Sequence, residues 1–350
     1  MPVYAWANST KKMKINKPFP SVTLKGLFYE KGVKANMKKG VISLGEALID
    51  FIPDDKEQLL YTKNPGGAPA NVAVGLAKLG TNVTFIGKVG DDLLGKFLKE
   101  TLKLYHVDIT GLTLTNEART GLTFVSLDET GERSFEFFVN PSADQLLQTC
   151  DVQKELFQTK RIFHFGSISL ISPSAKQATL QALHYAKENN MYVSYDPNLR
   201  LSLWENEHIA EETIQSVLSK VDILKLADSE LQFLMGSTDD SAIKSLATQY
   251  DIPLIFITMG DKGSMAYCKN GIVHVPSLDV NVVDTTGAGD AYMSGILYHL
   301  NGFEKDLRKI TLSELKEMLT FATVSGGLAT TSKGAMSALP KQAEIANYLK

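Results

Sequence analysis

The stretch Asp284-Thr285-Thr286-Gly287-Ala288-Gly289-Asp290, which continues into Ala291-Tyr292-Met293-Ser294-Gly295, decides how the chain folds and what chemistry it can carry. It follows a β-like segment, Val273 to Val283, and opens a run with small and apolar residues at 288, 291, 292, 295, 296 and 299. That spacing predicts a helix whose N-terminus lies at Gly287 to Gly289. Backbone N–H groups there have no intrahelical partner and carry the positive end of the helix dipole, and glycine lets an anion approach them closely.

Asp290 is unexpected in a site that only binds an anion, because its charge would repel the ligand. A carboxylate at this position is explained if it removes a proton from a nucleophile while the amides of Gly287, Ala288 and Gly289 hold the phosphoryl group under attack. The segment therefore predicts a phosphotransferase centre, with Asp290 as general base and 287–289 as an anion hole. The local pattern leaves one alternative open, a tight turn followed by an ordinary first-turn acid.

Two competing glycine motifs fit the sequence less well. A dinucleotide-binding fingerprint would need a third glycine where Tyr292 stands, and it belongs near the start of a β-α-β unit. The segment from Gly90 to Phe97 matches a P-loop up to its last position, where Phe97 offers no hydroxyl to Mg²⁺. Asp91 and Asp92 would also place negative charge inside the phosphate cradle. We reject the P-loop, and Tyr292 disfavours a dinucleotide oxidoreductase, which a nicotinamide-binding titration would reveal.

The composition limits the class of protein. The chain has 350 residues, 44% hydrophobic and 21% charged, which allows one large α/β domain or two smaller ones. Its net charge of −3 disfavours nucleic-acid and membrane-surface partners. Only Cys150 and Cys268 occur, the six histidines are scattered, and no apolar run reaches membrane-spanning length. We expect a soluble, cytoplasmic protein without disulfide or zinc chemistry.

Residues 1–38 differ from the rest of the chain. Nine lysines and a single acid, Glu30, precede Gly40, without the apolar core of a signal peptide or the arginine-rich character of a transit peptide. We expect 1–38 to be a flexible or expression-derived extension, or the result of a start codon placed too far upstream. A basic interaction arm is the alternative. Residues 39–350 would then form a single α/β domain.

Short β-rich apolar runs alternate with amphipathic segments from residue 41 onward. The alternation predicts a mostly parallel, doubly wound sheet with helices on both faces and ligands at the carboxyl ends of its strands. The predicted strands are Val41–Leu44, Val83–Ile86, Ile162–Phe165, Tyr192–Tyr195, Ile223–Leu226 and Leu254–Thr258, and the predicted helices are Ala70–Leu79, Leu93–Leu104, Ala175–Glu188, Glu211–Leu218, Ser229–Leu234 and Ala242–Gln249.

One region breaks this alternation. Gly121–Leu127 and Ser134–Val139 flank the polar turn Asp128–Glu132 and predict a β-hairpin, with which the strand-like segment Phe51–Thr62 would pair. We expect a small β-sheet lid, from about 50–62 and 112–140, that closes over the ligand crevice and excludes water. Exposed strand edges of the lid would allow pairing between subunits, which predicts a homodimer.

A second glycine segment lies at Asn64-Pro-Gly-Gly-Ala-Pro-Ala-Asn-Val-Ala73. Gly66 and Gly67 expose backbone, and Pro69 suits the first turn of a helix. Asn71 lies one turn in, where its amide can hydrogen-bond a polyol. A loop with a well-started helix, and no ligand, is the alternative.

These two glycine segments resemble the two signatures of the ribokinase/PfkB carbohydrate kinases, in order and in separation. The resemblance covers nearly all of residues 40–340 and is strongest to the fructokinases of that family. Further support comes from four shorter motifs: Gly45-Glu-Ala-Leu-Ile-Asp50, Asn140-Pro-Ser-Ala-Asp144, Asp196-Pro-Asn-Leu-Arg200 and Thr330-Thr-Ser-Lys-Gly-Ala335. It implies a ribokinase-like fold and an ATP-dependent sugar kinase that uses Mg²⁺.

The resemblance assigns roles to the acceptor site. Asp290 would be the base on the sugar hydroxyl, and Asp50 would accept hydrogen bonds from other hydroxyls. Gly66, Gly67 and Asn71 would line the same site, and Arg200 would reach the substrate, with a surface arginine as the alternative.

The resemblance also assigns nucleotide and metal positions. Thr258, Gly260 and Gly263 would form the loop under the ATP phosphates, with Lys225 beside them. Glu230 would organise Mg²⁺ through water, although Ala227 replaces the asparagine that often accompanies it. The remaining candidates, for a monovalent cation such as K⁺, are Asp284 and Thr286, with backbone carbonyls near Ala329 and Gly334.

One departure bears on the acceptor. Val139 stands where many fructokinases and the 2-keto-3-deoxygluconate kinases carry an arginine, so a donor set for a substrate carboxylate is missing. This departure counts against a sugar-acid substrate. The resemblance to fructokinases implies phosphorylation of fructose to fructose 6-phosphate. The alternatives are 2-keto-3-deoxygluconate kinase, another sugar or nucleoside kinase of the family, and a non-catalytic fructokinase-like scaffold.

Overall fold

The computed structural model describes residues 38–54, 57–127 and 133–349. The extension predicted at 1–38 lies outside the described residues except for its last member. Lys38 packs against the domain, where its Nζ donates to the backbone oxygen of Asn189 at 2.8 Å. The polar turn predicted at 128–132 also lies outside the described residues.

Apolar runs form the strands of two sheets. The strands are β1 Val41–Leu44, β2 Leu48–Pro53, β3 Tyr61–Gly66, β4 Val83–Gly90, β5 Asp108–Thr115, β6 Leu122–Leu127, β7 Arg133–Phe137, β8 Ile162–Gly166, β9 Tyr192–Asp196, β10 Ile223–Ala227, β11 Leu254–Thr258, β12 Ser264–Cys268 and β13 Gly271–Val275. Nine of them form one sheet in the order β13-β12-β11-β10-β9-β8-β1-β4-β5, parallel apart from the antiparallel β11-β12-β13 edge. The mostly parallel sheet is confirmed.

Helices cover both faces of this sheet, as predicted. They are α1 Ala68–Lys78, α2 Leu93–Leu104, α3 Pro173–Glu188, α4 Glu207–Gln215, α5 Asp228–Met235, α6 Asp240–Tyr250, α7 Ala288–Gly302, α8 Leu312–Ala329, α9 Ala335–Ala338 and α10 Gln342–Tyr348. Alternate strand residues face opposite sides. Val41 packs in a core with α1, α2, α7 and α8, whereas Ile42 and Leu44 pack in a core with α3, α5 and α6.

The small sheet has the order β3-β2-β6-β7. β2 pairs antiparallel with β3 and parallel with β6, and β6 and β7 form the predicted hairpin. Its bounds differ from those expected for the lid. Residues 112–115 belong to β5 of the large sheet, because their backbone pairs with β4.

Several predicted elements differ from the observed bounds, and for two of them the structure shows the cause. The segment Val273–Val283 is a strand only to Val275, because Pro276 has no N–H for a strand ladder, and the chain beyond it is irregular up to α7. Helix α4 starts four residues before the predicted Glu211, because the Asn206 side chain caps it by accepting the N–H of Ile209. The first turn of α4 is mostly polar, so the spacing of apolar residues did not indicate where the helix begins.

Candidate active site

Two cavities meet at the carboxyl ends of the central strands. The first, the Asp290 pocket, has a volume of about 290 Å³ and is lined by residues that include Asp50, Asn71, Arg200 and Asp290. The second, the Thr258 cavity, has a volume of about 690 Å³. Gly289, in the first turn of α7, lines both. The predicted helix N-terminus therefore lies where the two cavities join.

Asp290 is held by a partner from the other glycine segment. The Nδ2 of Asn71, in the first turn of α1, donates to Oδ2 of Asp290 at 2.8 Å. Burial raises the pKa of Asp290, and this hydrogen bond and the charges of Lys225 and Arg200 act in the opposite direction. The arrangement keeps a carboxylate near a helix N-terminus and beside two cations, where it can accept a proton.

The start of α7 has the geometry of an anion site, with one amide already engaged. Gly287 is the N-cap and has a φ of 78°, a conformation that favours glycine. The N–H of Ala288 donates to the carbonyl of Thr285 at 3.2 Å. The amides of Gly289 and Asp290 belong to the first turn, in which N–H groups have no intrahelical acceptor. Of the three predicted anion-hole residues, Ala288 is thus the one whose amide already has an acceptor.

Lys225 lies in the Asp290 pocket and does not line the Thr258 cavity. Its Nζ is 3.1–3.2 Å from the two carboxylate oxygens of Asp196, and both side chains are buried. Burial raises the pKa of Asp196, and the ammonium group of Lys225 partly offsets that rise. A Cβ on Gly289 would be 3.3 Å from the same Nζ, so a cation stands directly beside the helix N-terminus.

The predicted Asp50 and its glycines lie together. Asp50 on β2 is 7% exposed and lines the pocket, and a Cβ on Gly66 would be 2.1 Å from its Oδ2. Gly66 therefore makes room for this carboxylate. Gly67 lines the pocket with a φ of 98° and serves as the N-cap of α1. Arg200 also lines the pocket, and its Nη1 donates to the carbonyl of Leu199 at 3.1 Å.

Two of the three predicted metal residues, Glu230 and Asp284, accept hydrogen bonds from backbone N–H groups. Glu230 lines neither cavity, and its oxygens accept the N–H groups of Leu199 and Ala227, each at 2.7 Å. Asp284 is buried and accepts the N–H groups of Thr286 at 2.7 Å and Gly334 at 3.0 Å. Thr286 lines the Asp290 pocket. The segments proposed for a monovalent cation therefore adjoin each other.

All three residues of the predicted nucleotide loop line the Thr258 cavity. Thr258, Gly260 and Gly263 line it, and Gly263 has a φ of 93° with a Cβ position only 2.1 Å from the carbonyl of Val275. The opposite wall was not predicted by residue. It consists of Leu278, Val280, Tyr292, Thr323, Gly326 and Gly327. Small residues at 323, 326, 327 and 330 lie on one side of α8 and its end, which is the signal that would have indicated this wall.

Two buried side chains at this site were also missed: Glu46 lines the Asp290 pocket, and Asp196 pairs with Lys225, which lines it. Asp196 and Glu46 occur in quoted motifs, but neither had been singled out as a site residue. Their positions depend on contacts between distant segments.

None of the helices in the described ranges has the length and hydropathy of a membrane span.

The chain is similar to known carbohydrate kinases in sequence and in structure. The pfkB family carbohydrate kinase profile matches residues 38–342. Probable fructokinase-2 of Arabidopsis thaliana is 40% identical over 317 residues, which cover 89% of this chain and 95% of the relative. A fructokinase double mutant from Vibrio cholerae, solved with fructose, ADP and a potassium ion, is 38% identical with a TM-score of 0.83, covering 90% of this chain and 100% of that one. Fructokinase from Xylella fastidiosa with bound ATP is 32% identical with a TM-score of 0.83, covering 89% and 98%.

Proposed function

The chain belongs to the pfkB family of carbohydrate kinases, in which it is an ATP-dependent sugar kinase, and we propose that its acceptor is fructose, phosphorylated at the 6-hydroxyl. The observation that supports the chemistry is the bond between Asn71 and Asp290, which fixes a carboxylate where the two cavities meet. Fructose is supported by the Vibrio cholerae relative, whose structure contains fructose and ADP.

In this proposal Asp290 removes the proton of the attacking hydroxyl. The sugar lies in the Asp290 pocket, where Asp50 and Asn71 meet its other hydroxyls, and ATP lies in the Thr258 cavity. The first-turn amides of α7 and the ammonium group of Lys225 stabilise charge on the transferred group. A positioned general base contributes about 10²–10⁴-fold in rate, and one preorganised donor about 10²–10³-fold.

The metal requirement fits the donors that the chain offers. Across the parts of the chain that the structure describes, no three His, Cys, Asp or Glu side chains are placed to hold a metal ion. Mg²⁺ in phosphotransferases is held largely by substrate phosphates and water, with one or two carboxylates, and it neutralises phosphate charge when bound. Glu230 would contact it only through water, because its side chain lines neither the Asp290 pocket nor the Thr258 cavity.

A monovalent cation is proposed at Asp284 and Thr286, with carbonyls of Ala329 and Gly334. The support is the contact between Asp284 and the N–H of Gly334, together with the potassium ion in the Vibrio cholerae relative. Replacement of KCl by tetramethylammonium chloride at equal ionic strength should lower kcat. Equal rates in both salts would count against this site.

A neutral acceptor is favoured over a sugar acid by the cavity beneath the small sheet. This cavity, of about 390 Å³, shares Leu48, Phe137 and Ile168 with the Asp290 pocket, and its described lining contains Glu136, Val139 and Asp144 but no lysine or arginine. A substrate carboxylate that reached into it would find no cationic partner among the described residues, whereas Arg200 and Lys225 lie on the side of Asp290. 2-Keto-3-deoxygluconate and ribosides remain the competing acceptors.

A panel of acceptors in a coupled ADP-release assay tests the proposal. Fructose should give the highest kcat/KM among fructose, ribose, 2-keto-3-deoxygluconate and a riboside. A higher value for another acceptor would overturn the assignment of the sugar, and no ADP release with any acceptor would favour the non-catalytic scaffold.

We also propose that residues 39–350 act as one domain, with the small sheet as lid and homodimer contact. One face of this sheet carries an aromatic cluster in which Phe51 and Phe124 stack at 5.0 Å and Phe138 lies 4.9 Å from Phe124. Phe138 is 57% exposed, which suits a surface that a second copy covers. Light scattering should give a molar mass of twice 38.4 kDa, that of a dimer, for the wild type, and the mass of a monomer for Phe138→Glu. A wild-type monomer would contradict this.

The compartment and the remaining partners follow from simple chemistry. Cys150 and Cys268 are free thiols, which fits a reducing cytoplasm. A net charge of −3 supports small-molecule partners and neither nucleic acid nor a membrane surface.

A further inference from the structure

Glu46 is a buried carboxyl group in the Asp290 pocket that the proposed mechanism leaves unused. It follows β1, is 3% exposed, and lines the pocket together with Asp50 and Asp290. Its two oxygens have different surroundings. Oε1 accepts the N–H of Ala68 at 2.9 Å, whereas Oε2 is buried with no hydrogen-bond partner among the described residues.

The bond to Oε1 follows from how α1 begins. Its N-cap is Gly67, which has no side chain to accept a first-turn N–H group. Glu46 supplies that acceptor from a different segment, and its own carbonyl would be 2.4 Å from a Cβ on Gly67. Backbone and side chain of Glu46 thus both pack against the Gly67-Ala68 turn. The carboxyl group cannot rotate without losing the Ala68 bond, so the position of Oε2 is fixed.

We propose that Glu46 is a sugar-binding residue in its neutral form, with Oε1 holding the Ala68 amide and the Oε2 hydroxyl donating to an oxygen of the bound sugar. This inference rests on the proposed function, because it requires a sugar in this pocket. A buried hydroxyl without an acceptor is unfavourable, and a polyol supplies the missing acceptor. An acidic ligand would instead be repelled by the carboxylates of Asp50 and Asp290, which line the same pocket.

The electrostatics of the pocket support the neutral form. Burial raises the pKa of Glu46 to about 8, the charges of Asp144 and Asp290 add to the rise, and the backbone N–H groups of Glu46 and Ala68 oppose it. A hydroxyl donor is present below that pKa and is lost above it. The other charged groups that line the pocket are Asp50 on β2, Arg200 after β9 and Lys225 on β10.

Sugar binding should therefore be linked to a proton. Because the sugar binds only the protonated form, and burial raises the pKa of Glu46 to about 8, sugar binding should draw a measurable fraction of a proton per site from solution at pH 8. Calorimetric titration of D-fructose in buffers of different ionisation enthalpy measures this uptake. Glu46→Gln should abolish the uptake but keep the fructose affinity of the wild type near pH 7, because its amide group supplies both an acceptor for Ala68 and a donor to the sugar. Glu46→Ala should weaken fructose binding about tenfold.

The matched control is Glu314→Gln. Glu314 also accepts a helix N-terminal N–H, that of Thr311 at 3.0 Å, but it lies outside the Asp290 pocket. This variant should keep the wild-type proton uptake. A purely structural role of Glu46 would change stability without changing the proton count.

The outcomes separate the inference from the function on which it rests. Uptake that persists in Glu46→Gln, or wild-type binding without uptake at pH 8, would overturn the role of Glu46 while fructose binding stands. Absence of fructose binding by the wild type would overturn the proposed acceptor and the inference with it. Should Glu46→Gln not fold, the wild-type Kd decides alone, because it should rise with pH above 8 and a constant Kd would refute the role.

Discussion

Removal of the Asn71 side chain should move the acid limb of the pH–rate profile. Its Nδ2 donates to Oδ2 of Asp290 at 2.8 Å, and this bond lowers the pKa of a carboxyl group that burial raises. Asp290 can accept a proton only when ionised, so activity is present above its pKa and lost below it. Asn71→Ala raises that pKa and shifts the acid limb of kcat/KM to higher pH.

The size of the effect follows from the bond that is lost. A hydrogen bond to a charged group contributes about 1.5–3 kcal/mol, and each 1.36 kcal/mol is tenfold in rate. On the acid side, kcat/KM for fructose should therefore fall about ten- to a hundredfold. Asn71 is 4% exposed and its Oδ1 has no partner in the described ranges, so in the free enzyme the substitution breaks no other side-chain bond of Asn71. Loss of its contact with the sugar would lower kcat/KM equally at every pH, so the shift of the acid limb reports the bond to Asp290.

Steady-state kinetics from pH 5 to 9, with a coupled ADP assay, measure this shift. Asn189→Ala is the matched control, since its amide donates to the Tyr185 carbonyl at 2.9 Å near the end of α3, away from the pocket. The control should keep the wild-type profile. An acid limb that stays in place in folded Asn71→Ala would refute the claim that Asn71 keeps the base ionised.

Three further changes probe other parts of the site. Gly66→Ala puts a Cβ 2.1 Å from Oδ2 of Asp50, so the fructose KM should rise with the ATP KM unchanged, and an unaltered fructose KM would exclude Asp50 from the acceptor site. Lys225→Met leaves Asp196 buried and unpaired, which should lower the free energy of unfolding, measured in urea, by roughly 3–5 kcal/mol. Asp196→Asn added to it should regain stability but not activity, and a double variant no more stable than the single would contradict the ion pair. Gly327→Ala puts a Cβ 2.7 Å from the Cβ of Leu278, which also lines the Thr258 cavity, so calorimetry should show weaker ATP binding, and wild-type affinity would exclude this part of the cavity from the nucleotide site.

The elements with a strong local signal were predictable from sequence. Helix Leu93–Leu104 and strand Leu254–Thr258 have the predicted bounds, because apolar periodicity and the Asp92 cap define them locally. The two glycine segments indicated the site for the same reason, since glycine and proline fix the backbone of a loop within a few residues.

Contacts between distant segments were beyond such reasoning. Asn71 and Asp290 are 219 positions apart, and only the packing of α1 against α7 brings them together. In the sequence, Glu46 is an acidic residue shortly after a predicted strand, with nothing to mark it as part of the site. Its role depends on the turn at Ala68, whose N–H donates to Glu46 only in the folded protein. Lys225 was assigned to the nucleotide, yet Asp196 on the neighbouring strand holds it in the wall of the Asp290 pocket.

The most direct test of the proposed mechanism is the kcat of Asp290→Asn with fructose and ATP. We predict a fall of at least about a hundredfold, with ATP affinity and thermal unfolding close to those of the wild type, because the amide cannot accept the hydroxyl proton. A kcat within a few-fold of the wild type would contradict the role of Asp290 as the base.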